Sequence, residues 1–113
     1  MNTRWWELVE KFQPVKRPAD RHAPDWAAKI HLAYYPAYYQ NYTLGEMTAS
    51  QLLEFITTRV LNGGAAAFID SRKVGEFLHD QFFALGSRYA WNGALQAATG
   101  EELKPEYFAK HLQ

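Results

Sequence analysis

Apolar residues recur every three or four positions along most of this chain, the spacing of one face of an α-helix. The pattern predicts five helical segments, which cover residues 3–13, 36–61, 72–85, 91–99 and 105–112. Pro14 ends the first segment and Gly100 ends the fourth, as helix-breaking residues commonly do. No two stretches alternate with a period of two and could pair as strands. We therefore predict an all-α fold with polar links between the helices.

Composition limits the size and class of the protein. A chain of 113 residues is long enough for one domain, so we predict a single helical domain over residues 1–113. The hydrophobic fraction is 48% and the aromatic fraction 16%, a heavy load of rings for this length. Either the core is rich in rings or some rings face a partner.

Charge and residue usage exclude several functions. The chain has 12 Lys and Arg and 12 Asp and Glu, so it lacks the basic surface that nucleic acid requires. It has no cysteine, which removes disulfides and thiolate metal sites. No apolar run is long enough to span a membrane, and no signal-peptide pattern follows Met1. We expect a soluble chain whose compartment the sequence leaves open.

The densest candidate chemistry lies near the start of the second segment. Within fourteen positions the chain carries Lys29, His31, Tyr34, Tyr35, Tyr38, Tyr39 and Tyr42. An ammonium, an imidazole and several phenols are mostly hydrogen-bond donors, suited to a carboxylate and a polarised carbonyl oxygen. The alternative is structural, because Tyr35, Tyr38, Tyr39 and Tyr42 have the spacing of one helix face and could form a half-buried seam.

A complete hydrolytic site is missing from the sequence. There is no H-E-x-x-H zinc motif, no G-x-S-x-G nucleophile motif and no phosphate-binding glycine loop. The four histidines are scattered, and no two of them lie one helical turn apart. Any site in this chain is therefore expected to be partial, without metal ligands of its own.

Several motifs together resemble a known family. They are WWELVEKFQ at 5–13, the proline-containing link to Arg21, KIH at 29–31, the Y-x-x-Y of Tyr39 and Tyr42, and LGSRYAWNGALQAATG at 85–100. In this order they resemble the C-terminal part of the angiotensin-converting-enzyme family, zinc peptidyl-dipeptidases that remove dipeptides from the C-terminus of a peptide. The resemblance implies an all-helical segment that forms one wall of a substrate channel.

The resemblance also implies roles for particular residues. Lys29 and Tyr39 would hold the terminal carboxylate of the substrate, His31 would donate to a substrate carbonyl, and Tyr42 would stabilise the oxyanion. The spacer after His31 is one residue longer than the family pattern, so Tyr38 competes with Tyr39. Zinc is implied for the full-length family only, and no cofactor is assigned to this chain.

Two functions follow from these observations. The first is a truncated, substrate-binding segment of a zinc peptidase that binds peptide C-termini and is inactive alone. The alternative is a non-catalytic helical interaction module that keeps the scaffold. Both would expose apolar surface that needs a partner, and we therefore expect a homo-oligomer.

Overall fold

The computed structural model describes residues 1–35, 37–63 and 68–112. The α-helices in these ranges are α1 (Asn2–Phe12), α2 (Ile30–Ala33), α3 (Gln40–Phe55), α4 (Arg72–Phe77), α5 (Trp91–Thr99) and α6 (Pro105–Lys110). A 3₁₀ turn (Asp25–Ala28) precedes α2, π-helical turns extend α3 (Ile56–Val60) and α4 (Leu78–Phe82), and a 3₁₀ turn (Phe83–Leu85) follows the second of these. The described residues contain no strand, and the all-α prediction is confirmed.

The second predicted segment begins later than the pattern indicated. Its expected first residue, Pro36, lies outside the described residues, and α3 begins at Gln40. Ala37 has a φ of 56°, which a right-handed helix does not permit. The apolar spacing was correct from Gln40 onward, but this left-handed residue separates α3 from the short helix α2.

The chain divides into two compact units, Met1–Asn41 and Tyr42–Gln113. In the first unit α1 packs against the 3₁₀ turn, where Trp6 Nε1 donates to Asp25 Oδ2 at 3.2 Å. Arg21 Nε donates to Asp25 Oδ1 at 2.6 Å, and this hydrogen bond is the main reason that the pKa of Asp25 lies below its ordinary value. The prediction of one domain over the whole chain stays a prediction.

The second unit has a small apolar core, to which α4, α5 and the π-helical turn after α3 contribute the buried residues. The buried residues of this cluster are Ile56, Val74, Phe77 and Ala98. The rings of Phe55 and Phe77 have centroids 5.3 Å apart, and Leu52, Val60 and Phe82 pack around the cluster. Burial of these side chains is the main stabilising contribution that this unit can make.

A buried glutamine connects α3 to the segment between α5 and α6. Gln51 is 2% exposed, and its Nε2 donates to the carbonyl oxygens of Glu101 at 3.3 Å and Glu102 at 3.1 Å. Its Oε1 accepts the backbone N–H of Lys104 at 2.8 Å. The side-chain amide therefore replaces water for three backbone groups of an irregular segment, which fixes that segment against α3.

Many large apolar side chains remain exposed in both units. Among the described residues they include Phe12, Tyr34, Ile69, Phe83 and Trp91, each of them more than half exposed. No helix in the described ranges has the length and apolar character needed to cross a membrane.

Candidate functional site

Lys29 and His31 lie at the start of α2. Lys29 directly precedes the helix in an extended conformation, and its carbonyl oxygen accepts the N–H groups of Leu32 at 2.9 Å and Ala33 at 3.0 Å. The Lys29 side chain is exposed, whereas His31 is half-buried. The single turn of α2 thus fixes the backbone from which both side chains project.

His31 contacts both Tyr38 and Tyr39, the two alternatives for the tyrosine that would hold the substrate carboxylate. Its ring stacks on Tyr38, with centroids 5.8 Å apart and planes inclined by 17°. It meets Tyr39 edge-on, with centroids 5.6 Å apart and planes inclined by 62°. The structure therefore brings the rings of His31, Tyr38 and Tyr39 together within the first unit.

The ring contacts continue toward α2. Tyr35 lies 6.0 Å from Tyr38 and 5.0 Å from Tyr34, measured between ring centroids. We call Tyr34, Tyr35, Tyr38, Tyr39 and His31 the aromatic cluster. Such edge-on and offset ring pairs stabilise by about 0.5–1.5 kcal/mol beyond the area they bury.

The helical seam that the tyrosine spacing allowed is wrong. Tyr35, Tyr38 and Tyr39 all precede α3, and the positive φ of Ala37 interrupts any helix through them. The phenols gather through a non-helical turn, so their shared position has a different cause from the one that the 3.6-residue spacing indicated.

Tyr42 belongs to the second unit. It lies in the first turn of α3, and its side chain is exposed, as are those of Tyr38 and Tyr39. The assignment of Lys29, His31, Tyr38, Tyr39 and Tyr42 to one substrate site stays a prediction.

A zinc site does not fit the described residues. In residues 1–35, 37–63 and 68–112, no three His, Asp or Glu side chains lie close enough together to hold a metal ion. His79 contacts its neighbour Asp80 at 2.6 Å and His111 contacts Ser50 at 3.2 Å, each as an isolated pair. We therefore derive no chemical step through a metal on these residues.

The second unit contains a cavity that no sequence motif indicated. Its volume is about 410 Å³, and it is lined by residues of α3, of the π-helical turn after α3, of the end of α5 and the segment that follows it, and of α6. At its wall Tyr107 donates its hydroxyl to Glu101 at 2.9 Å, and Lys104 Nζ lies 2.9 Å from the same carboxylate oxygen. The lining residues are far apart in sequence, so no motif could have indicated them.

The hydrogen bonds at Glu101 shift its titration and that of its partners. Hydrogen bonding to Lys104 and then to Tyr107 lowers the pKa of Glu101, with a smaller contribution from the nearby charge of Arg59. The pKa of Tyr107 is raised in turn, mainly because its hydroxyl donates to the Glu101 carboxylate. Glu101 therefore stays ionised at neutral pH.

Comparison with known proteins identifies one family. Residues 30–113 match the sequence model of the family described as carboxypeptidase Taq (M32) metallopeptidase. No curated protein and no solved structure matches the chain.

The resemblance stated above is thereby corrected. It indicated a metallopeptidase, which is confirmed, but the angiotensin-converting-enzyme family was the wrong one. Short motifs such as K-I-H and Y-x-x-Y span few positions, whereas the matched region begins at Ile30 and includes His31 and all the tyrosines of the aromatic cluster. Because the match covers most of its length, the chain belongs to the carboxypeptidase Taq (M32) family of metallopeptidases.

Proposed function

We propose that this chain is a substrate-binding segment of a metallopeptidase and holds the C-terminal end of a peptide. The observation that carries the proposal is the contact of His31 with both Tyr38 and Tyr39, at 5.8 and 5.6 Å between ring centroids. Lys29 lies two positions before His31 and is exposed. Membership of a family named for carboxypeptidase activity supports the same substrate class.

The roles follow from the chemistry of each side chain. The Lys29 ammonium supplies the fixed positive charge that a terminal carboxylate needs, together with the hydroxyl of Tyr39 or Tyr38. His31 supplies a ring N–H to a substrate carbonyl oxygen. Tyr42 supplies a hydroxyl to the oxygen that becomes negatively charged during hydrolysis.

The chain alone is proposed to bind peptides without hydrolysing them. Peptide hydrolysis by a metallopeptidase needs a bound metal, and the described residues offer no three-ligand site. Incubation of the purified chain with a peptide and zinc is therefore expected to give no product. Chelator-sensitive turnover by the pure chain would contradict this part of the proposal.

The size of the released product is a finer proposal. The resemblance to the angiotensin-converting-enzyme family implied removal of dipeptides, whereas the description of the matching family names a carboxypeptidase. Both activities require that the terminal carboxylate be held, so the role of Lys29 is the same in either. Mass spectrometry of the product that a full-length member of the family releases from one peptide would separate them, because the two activities release one and two residues respectively.

The direct test is an NMR titration of the ¹⁵N-labelled chain with one peptide in two forms, with a free C-terminal carboxylate and with a C-terminal amide. We expect the free acid to shift amide signals between residues 29 and 42 and the amide to shift them much less. Lys29→Ala should weaken binding about tenfold, since a hydrogen bond to a charged group contributes roughly 1.5–3 kcal/mol. Lys73→Ala is the matched control, because the Lys73 side chain is also exposed and lies in α4. Equal binding of both peptide forms would contradict the carboxylate role.

A second candidate is a non-catalytic module that associates with another copy of the chain. The exposed large apolar side chains of both units favour it. Sedimentation at tens of micromolar tests it: a dimer that survives Lys29→Ala and His31→Ala but dissociates in Phe83→Ala and Trp91→Ala would support this function. A monomer at every concentration would exclude it.

A further inference from the structure

The cavity of the second unit shares no residue with the aromatic cluster, Lys29 or Tyr42. Its volume of about 410 Å³ lies within the range of small-molecule sites, roughly 300–1,000 Å³. Binding of a ligand in this cavity would therefore not depend on the peptide site proposed above.

Two unusual local structures form its wall. The first is the π-helical turn Ile56–Val60, in which the Leu61 N–H donates to the Ile56 carbonyl five residues earlier at 2.9 Å. Turns of this kind are rare in helices and frequently occur at functional sites. Two of its residues, Thr58 and Arg59, line the cavity.

The second structure is the segment after α5 that Gln51 holds in place. Its backbone is fixed by the buried Gln51 amide, and the Thr99 hydroxyl adds a contact of 3.1 Å to the Glu101 carbonyl oxygen. The Glu101 carboxylate is oriented by Tyr107 and Lys104. This wall is therefore held by hydrogen bonds before any ligand binds.

The cavity offers charges of both signs. Glu54 and Lys110 form an ion pair of 3.3 Å, and each retains further hydrogen-bonding capacity, since a carboxylate has a second oxygen and an ammonium three N–H groups. The Arg59 guanidinium makes neither an ion pair nor a hydrogen bond within the described residues. A guanidinium can hold a carboxylate through two parallel hydrogen bonds.

From this arrangement we infer that the cavity binds a small zwitterion with an α-carboxylate and an α-ammonium group, such as a free amino acid or a dipeptide. The carboxylate is held by Arg59 with help from Lys110. The ammonium group is held by the carboxylates of Glu54 and Glu101. A simple anion would gain from Arg59 but would be repelled by both glutamates, whereas a dipolar ligand complements both signs.

The test is an NMR titration with L-alanyl-L-leucine, its N-acetyl form and its C-terminal amide. The zwitterion is expected to shift the amide signals of Thr58, Arg59 and residues 99–101 at millimolar concentration. The N-acetyl and amide forms should bind at least about tenfold more weakly, because each lacks one of the two charges. Arg59→Gln should reduce the affinity for the zwitterion by about tenfold or more.

Arg88→Gln serves as the matched control, since the Arg88 side chain is exposed in the same unit and does not line the cavity. Arg59→Lys keeps the positive charge but cannot form two parallel hydrogen bonds with a carboxylate. Its affinity for the zwitterion should therefore lie between those of the original chain and of Arg59→Gln. Shifts that are unchanged in Arg59→Gln, equal binding of the N-acetyl form, or no shift at about 10 mM ligand would each overturn the inference. Because the readout is resolved by residue, loss of these shifts is distinguishable from loss of the shifts at residues 29–42.

Discussion

The backbone N–H of Lys104 donates to the side-chain oxygen of Gln51 at 2.8 Å, although 53 residues separate the two. Together with the two hydrogen bonds from the Gln51 amide to the carbonyl oxygens of Glu101 and Glu102, this contact holds residues 101–104 against α3. Because Gln51 is almost fully buried, its side-chain amide rather than bulk water satisfies these three backbone groups.

Gln51→Leu should therefore lower the free energy of unfolding by about 1–3 kcal/mol, the cost of leaving part-buried backbone groups without partners. Urea denaturation followed by circular dichroism measures this change. Gln96→Leu is the control, since Gln96 is exposed on α5 and should change stability by less than about 0.5 kcal/mol. An equal loss in both variants would show that the buried bonds are not the cause.

Gly45→Ala should stabilise the chain. Gly45 lies inside α3, and a Cβ placed on it would meet no atom of the described residues within 4 Å, so an alanine side chain fits there without displacing a neighbour. Alanine should add up to about 1 kcal/mol through helix propensity.

Gly100→Ala provides the opposite case for the same substitution. Gly100 ends α5 with a φ of 85°, a conformation that a residue with a Cβ adopts at a cost of roughly 1 kcal/mol. The midpoint temperature of thermal unfolding should rise in Gly45→Ala and fall in Gly100→Ala. A decrease in Gly45→Ala would indicate an unseen neighbour at that position.

Ile56→Ala should destabilise the second unit by about 2–4 kcal/mol, through lost burial and the cavity left behind. Ile56 is 1% exposed in the centre of the apolar core, whereas Ile69 is 77% exposed. Ile69→Ala should therefore have little effect on the midpoint of urea denaturation. Similar losses in the two variants would mean that the core is not where the structure places it.

Stability should fall in acid because of Glu101. Its pKa is lower in the folded chain, mainly through the hydrogen bond with Lys104, so the unfolded chain binds its proton more readily. The stabilisation is complete above the ordinary pKa of a glutamate, about 4.3, and is lost as the pH falls through the lower folded value.

Glu101→Gln should remove this part of the acid dependence when the free energy of unfolding is measured between neutral pH and about pH 3. Glu102→Gln is the control, because the Glu102 side chain is exposed and forms no ion pair within the described residues. An unchanged pH profile in Glu101→Gln would contradict the role of the Lys104 and Tyr107 contacts.

Sequence periodicity was sufficient to predict the all-α class and the helices α1, α4, α5 and α6. It was insufficient around Ala37, because a left-handed backbone conformation at a residue other than glycine leaves no trace in the apolar pattern. The same limit applies to the π-helical turns, because a single wide turn is too short to be recognised in the apolar spacing of a whole segment.

Only part of the candidate functional residues could be predicted from the sequence. Residue chemistry led to Lys29, His31 and the tyrosines, and the contacts of His31 with Tyr38 and Tyr39 agree with a common location for these three. The charged cavity could not be found in this way, because Arg59, Glu101 and Lys110 come from distant parts of the chain and meet only through tertiary packing.

The π-helical turn Ile56–Val60 has a consequence for deletions within this helix. A π-helical turn contains one residue more than an α-helix would need to connect the same two points, so deletion of one residue within it would give regular helix and leave the helix beyond it in the same orientation. Relatives that lack one residue here should therefore keep the helix faces on both sides of the turn and differ only within the turn itself, the part that carries Thr58 and Arg59.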